Sequence, residues 1–217
     1  MPKPILTTRV HIYPLSRLVN APASKWERLI ESIEEGKLRA FSYYLPMREG
    51  VVLFCARDGK GFDTILADLI RRAREMGGVR GDEIAVDNEA AFRVFVETFY
   101  PKIGKFKRDC LREGQDGVAF QGILLLGAPH FIATDRDGQT RYVFLLSAKW
   151  SRRDLKAYLA LLSVVVEKQY NGTAKQIWCM DLKSGKTIPF TASTRVRNQC
   201  ADSAKHYARL ASVMASE

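Results

Sequence analysis

The sequence predicts an α/β chain built around a mixed sheet flanked by helices, and three observations carry that prediction. From residue 87 onward the elements run helix, strand, strand, strand, helix, strand, an order that makes a meander, a crossover helix and a returning strand. The run Val143-Phe-Leu-Leu146 is continuously apolar, as a strand covered on both faces is. Asp137-Gly138 separates two strand-like runs as a two-residue hairpin turn.

An N-terminal α+β region is expected at 1–86. Arg9-Val-His-Ile-Tyr13 reads as a short strand. Ser24-Lys-Trp-Glu27 reads as a capping box, followed at helical spacing by Trp26, Leu29, Ile30 and Ile33 and closed by Gly36. Residues 40–45 and 51–56 read as strands around a turn at Pro46-Met-Arg-Glu-Gly50. Asp63 caps a second helix that turns Ile65, Leu66, Leu69, Ile70 and Ala73 inward, and Gly77-Gly78 stops it. The core is expected at 87–217. Asp87 caps a helix with Phe92, Phe95, Val96 and Phe99 on its apolar face, and Pro101 breaks it. The lysine-rich stretch from Lys102 to Arg112 reads as a loop or a broken helical continuation. Residues 118–126, 131–134 and 142–148 read as three strands. Residues 152–170 form a helix with Leu155, Leu159, Leu162 and Val166 on one stripe, 175–182 the returning strand, Ser184-Gly185 a turn into 187–191, and 197–214 a last helix.

Composition bounds the function. A chain of 217 residues can hold one medium domain, or a domain with a small lobe. No apolar run approaches the ~20 residues of a membrane helix, and Met1-Pro-Lys-Pro-Ile-Leu has no signal-peptide core. A cytoplasmic protein without membrane contact is therefore the expectation. Cys55, Cys110, Cys179 and Cys200 lie far apart, so reduced, buried thiols are expected rather than a zinc knuckle or disulfide framework. The net charge of +10 points to a polyanionic partner, nucleic acid first. The surplus clusters at Arg71, Arg72, Arg74 and Arg80, and again at Lys102, Lys105, Lys107, Arg108 and Arg112. Either cluster is also compatible with an ordinary solvated face.

The residues around the predicted hairpin carry a resemblance. Gly127-Ala-Pro129-His130 precedes one strand, Ser147-Ala148-Lys149 ends the next, and Asp154-Leu-Lys-Ala-Tyr158 sits on the helix that follows. In that order these segments resemble the PD-(D/E)XK nuclease superfamily, especially its RecB-like branch, over about residues 87–190. The family has a G-x-x-D end on its second strand, (D/E)-x-K on its third and Q-x-x-x-Y on the next helix. The resemblance implies an αβββαβ restriction-endonuclease-like core and metal-assisted phosphodiester cleavage, in which carboxylates hold Mg²⁺ and the lysine stabilises developing charge.

This chain departs from the pattern at both acids: His130 and Ser147 stand in the ligand positions and Lys149 alone is kept. A neutral imidazole and a hydroxyl are poor Mg²⁺ ligands beside carboxylates. The preceding helix offers Glu89 or Glu97, the second better placed, so an active centre would use Glu97, His130, Ser147 and Lys149. Its metal, Mg²⁺ or Mn²⁺, would rest on Glu97 and His130. Asp135 and Asp137 read as turn formers. Lys149, Trp150, Arg152, Arg153 and Lys156 suit backbone contact with stacking, and Lys102, Lys105, Lys107 and Arg108 could extend the track. Some RecB-like relatives hold an iron–sulfur cluster through four cysteines; only Cys200 lies in a suitable tail region, so no cluster is expected.

Three functions remain open. One is a catalytically inactive nuclease-like protein that binds nucleic acid, DNA ahead of RNA, within a DNA-processing, mobile-element or defence assembly with protein partners. The second is an active nuclease with relocated ligands. The third is a protein-interaction scaffold whose basic charge is incidental.

Overall fold

The computed structural model describes residues 8–34, 43–111, 117–147, 150–190 and 193–214. Of the residues singled out above, Gly36, Arg112, Ala148, Lys149 and Thr191 lie outside the described residues, as does 40–42 of the first expected strand.

The chain opens with β1 (Arg9–His11), which passes directly into α1 (Ile12–Leu18). A 3-10 turn at Ala23–Lys25 leads into α2 (Trp26–Glu34), so Ser24 lies inside that turn and not at an extended N-cap. The expected strand at 51–56 is instead the body of α3 (Leu45–Ala56). Pro46 occupies its first turn, where a missing N–H costs nothing and the fixed φ suits a helix. Asn88 holds α3 from outside: its Oδ1 accepts from the Met47 amide at 3.0 Å, and its Nδ2 donates to the Tyr43 carbonyl at 2.9 Å. Next comes α4 (Phe62–Gly77), capped by Gly61 at φ +80°, with Asp63 inside its first turn. Helix α5 (Gly81–Val94) starts six residues before Asp87, on the acidic turn Asp82-Glu83 that favours a helix N-terminus. Asp87 is thus mid-helix, where its carboxylate accepts from the hydroxyls of Tyr43 and Tyr44. The last turn of α5 widens into π geometry at Phe95–Phe99.

The basic stretch after Pro101 is strand β2 (Ile103–Asp109), not a loop or helix. The expected single strand at 118–126 is a hairpin of β3 (Val118–Phe120) and β4 (Ile123–Leu126). Gln121 and Gly122 both have positive φ, +51° and +90°, as a two-residue type I′ turn requires. Beyond it, β5 (Phe131–Asp135), β6 (Thr140–Leu146), α6 (Arg152–Gln169), β7 (Ile177–Asp181), β8 (Lys186–Ile188) and α7 (Thr194–Met214) follow the predicted order closely. Asp135 organises the hairpin. It accepts from the amides of Asp137 and Gln139 and pairs with Arg141 at 2.6 Å, while Gly138 takes φ +79°.

The chain is an α/β protein with two mixed sheets. The larger has the order β2-β5-β6-β7-β8, antiparallel throughout except for the parallel pair β6–β7 that α6 connects. The smaller is β1-β4-β3, with β1 parallel to β4. Strand β6 is buried from Tyr142 to Leu146 because each face packs on its own cluster. Tyr142, Phe144 and Leu146 meet α1, α6 and α7 through Leu15, Leu18, Leu159, Leu162 and Tyr207. Val143 and Leu145 meet α3, α4 and α5 through Met47, Val51, Leu69, Phe92 and Phe95. The division expected at residue 86 falls within α5, and residues from both sides of it contribute to each cluster.

Strand β2 reaches this sheet only by bulging. Its register against β5 shifts between Ile103 and Lys105 and again between Phe106 and Arg108. Strict alternation from Ile103 would send Lys105 into the core and Phe106 out. The first bulge reverses that, so Ile103 and Phe106 both pack on the α3–α5 side. Gly104 makes the bulge possible, since a Cβ there would run into the Asp135 carbonyl oxygen. Gly104→Ala is expected to destabilise the protein by about 1–3 kcal/mol, the usual cost of forcing atoms into a filled space. Chemical denaturation of the purified variant measures it.

Candidate nucleic-acid interface

The strand register gives the sheet two ends. At one, Thr134 pairs with Thr140 beside the hairpin turn; at the other, His130 precedes β5 and Ser147 follows β6. His130 and Ser147 therefore sit at one sheet end, and the order of β5 and β6 brings them there.

His130 is 4% exposed, and its surroundings fix its chemistry. Its backbone extends the pairing, donating to Val143 and accepting from Cys110. Its Nδ1 accepts from the Leu145 amide at 2.8 Å, which leaves the proton of the neutral ring on Nε2. In this arrangement neither nitrogen offers a lone pair to a metal. Burial holds the imidazole well below its usual pKa, and the positive charge of Arg48 lowers it further. Ser147 is equally buried, at 3% exposure, and continues the β6 face that carries Val143 and Leu145.

Arg48 is the feature the sequence did not flag. It lies on α3, in the segment expected to be a turn, and only 7% of it is exposed. Burial pulls its pKa down to about 10, and its charge is felt by both His130 and Tyr158. Nothing in a single sequence marks a surface-type residue as buried; the only signal is its place one turn before the inward pair Val51-Val52.

The other expected ligands do not gather with His130. Glu97 is exposed, on the π turn whose Phe95 and Phe99 face the core. Glu89 pairs with Arg93 one turn further on, at 2.9 Å. Among the described residues no three His, Cys, Asp or Glu side chains form a group able to hold a metal. The four cysteines are free and buried in separate elements or connections, as expected of reduced thiols. Burial raises Cys55, Cys179 and Cys200.

At the start of α6, Ser151 accepts from the Asp154 amide at 3.0 Å and caps the helix. Asp154 in turn accepts from Asn20 at 3.1 Å. Tyr158 is buried with its ring 4.6 Å from that of Trp150, and Trp150 meets Tyr13 edge-on at 5.2 Å. Trp150 is thus a packed anchor for the β6–α6 connection, not an open stacking platform. Arg152 and Arg153 are exposed beside it, and Lys156 is half-buried one turn on.

The cationic clusters differ in what surrounds them. Arg71 pairs with Asp68 and Glu75, Arg72 with Glu49, Arg74 with Asp82 and Arg80 with Glu83. Their charge is matched locally. Among the described residues, Lys102, Lys105, Lys107, Arg152, Arg153 and Lys156 have no carboxylate partner. Lys102 lies 5.1 Å above the Phe99 ring, and Lys107 donates to the Thr140 hydroxyl at 2.9 Å. Register against β5 sets Lys105 beside Thr134 and Arg108 beside Ile132, on the sheet face that carries α6. The bulges thus turn lysines that alternation would bury into an exposed row along the sheet edge.

No described helix is long and apolar enough to cross a membrane. Comparison of the chain with family models, with curated proteins and with solved structures returns no match.

Proposed function

We propose that this chain binds nucleic acid, DNA ahead of RNA, on a divergent nuclease-like scaffold that does not cut. The observation that carries the reading is the contrast in charge: Arg71, Arg74 and Arg80 are neutralised by neighbours, whereas Lys102, Lys105, Lys107, Arg152 and Arg153 face solvent with no carboxylate partner among the described residues. Solvent-facing cations in a row are what phosphate contacts require. The strand order β2-β5-β6-β7, antiparallel twice and then parallel across α6, is compatible with an αβββαβ core in which β3 and β4 are an insertion. At the ligand end, a neutral imidazole with Nδ1 engaged and a buried serine favour binding over hydrolysis. A role within a DNA-processing, mobile-element or defence assembly follows from the resemblance alone.

The test is to incubate the protein with single- and double-stranded DNA and RNA, in Mg²⁺ and in Mn²⁺, reading retention and cleavage together. Binding at low salt without cleavage is expected. Cleavage that disappears in Lys149→Ala and Glu97→Ala would overturn the non-cutting reading in favour of relocated ligands. Failure to retain any nucleic acid at low salt would leave the interaction scaffold.

A further inference from the structure

The two cationic groups stand at opposite ends of the sheet. Lys102 precedes the first residue of β2, which pairs with Asp135, and Lys105 lies opposite Thr134. Lys107 sends its amine to Thr140, the first residue of β6. All three mark the hairpin end. Arg152 and Arg153 open α6, five residues beyond Ser147 and the far end of β6. From Thr140 to Ser147 the chain advances seven residues, about 23 Å at ~3.3 Å per residue. Arg108, opposite Ile132, lies along the edge between the two groups.

We infer that the ligand is an extended nucleic acid that lies along the strand direction and spans both ends, with a minimum length of about seven base pairs at ~3.4 Å per step. This rests on the nucleic-acid reading above and adds a length requirement to it. A mononucleotide or a very short oligonucleotide can neutralise one end only. A longer one reaches the second group without a second loss of translational freedom, so affinity rises in a step and not in proportion to length. The Thr140 hydroxyl accepts from the Lys107 amine and keeps its own proton, so it can supply a neutral donor to a phosphate oxygen there.

The experiment is a length series of fluorescent duplexes of about 4, 8 and 16 base pairs, with affinities divided by the number of binding registers on each duplex. Wild type, Lys105→Glu/Lys107→Glu and Arg152→Glu/Arg153→Glu are compared, with the neutral pair Lys105→Gln/Lys107→Gln as the milder variant. The expected result is a step of at least about tenfold between the shortest and the middle duplex. Either double variant removes the step but leaves the short duplex bound by the intact end. Equal corrected affinity at all lengths, or a step that survives both double variants, overturns the length requirement and leaves the nucleic-acid reading standing. Absence of binding at every length overturns both.

Discussion

Acidification is expected to destabilise this protein through His130. The ring is held neutral by burial and by Arg48, so its pKa in the folded state lies well below 6.5, the ordinary value. Above 6.5 neither state is protonated and the group is silent. Below 6.5 the unfolded chain takes up a proton that the folded protein refuses, so stability falls as pH falls. The loss is about 1.4 kcal/mol per pH unit while the folded ring stays neutral. His11 is also shifted down by desolvation, so the informative comparison is His130→Asn. That variant keeps His11, and its Oδ1 can accept from the Leu145 amide as Nδ1 does, but it does not titrate. Urea denaturation from pH 7.5 downward should give a shallower slope for His130→Asn than for wild type. Parallel slopes would sink the account. His130→Ala differs because it leaves the Leu145 amide without its acceptor, at a cost of about 1–3 kcal/mol even at neutral pH. Arg48→Met removes the neighbouring charge and is expected to raise the folded-state pKa, which narrows the acid-labile window from below.

The same residues show what a sequence can and cannot carry. Helix α6 was legible because its apolar stripe, Leu155, Leu159, Leu162 and Val166, repeats at helical spacing. The β5–β6 hairpin was legible because Asp137-Gly138 is a turn with a mechanism. Helix α3 was not, since it is buried at Met47, Arg48, Val51, Val52, Phe54 and Cys55 and so shows no polar face to set a period, while Pro46 reads equally as turn or helix start. Strand β2 was hidden by its two bulges, each of which breaks the alternation that identifies a strand. The Gln121-Gly122 turn lacks the usual Asn or Asp at its first position. For the site, sequence located His130 and Ser147 at one sheet end but could not assign a tautomer, because the Leu145 amide that fixes it lies fifteen residues away on another strand. Arg48 comes from a part of the chain expected to form a separate region, and only the folded chain brings it near.

Salt titration should separate the two kinds of arginine and lysine cluster more sharply than any other measurement. Each cation that neutralises a phosphate releases condensed counterions, so on duplex DNA it contributes about 0.9 to the slope of log affinity against log salt. Replacing Lys102, Lys105 and Lys107 together by glutamine is expected to flatten that slope by up to about 2.7 and to weaken binding at least about tenfold near physiological salt. Replacing Arg71, Arg74 and Arg80 removes the same formal charge, yet each already faces a carboxylate of its own or of a neighbouring helix turn. Their loss frees an acid for every base it removes, and exposed pairs of this kind contribute little to stability. The slope should therefore stay near the wild-type value, with only the weak uniform change that a less positive molecule produces. If the two triple variants flatten the slope equally, net charge and not the β2 row is what the ligand feels. If only the β2 variant does, the bulge that turns Lys105 outward is what makes this edge a phosphate track.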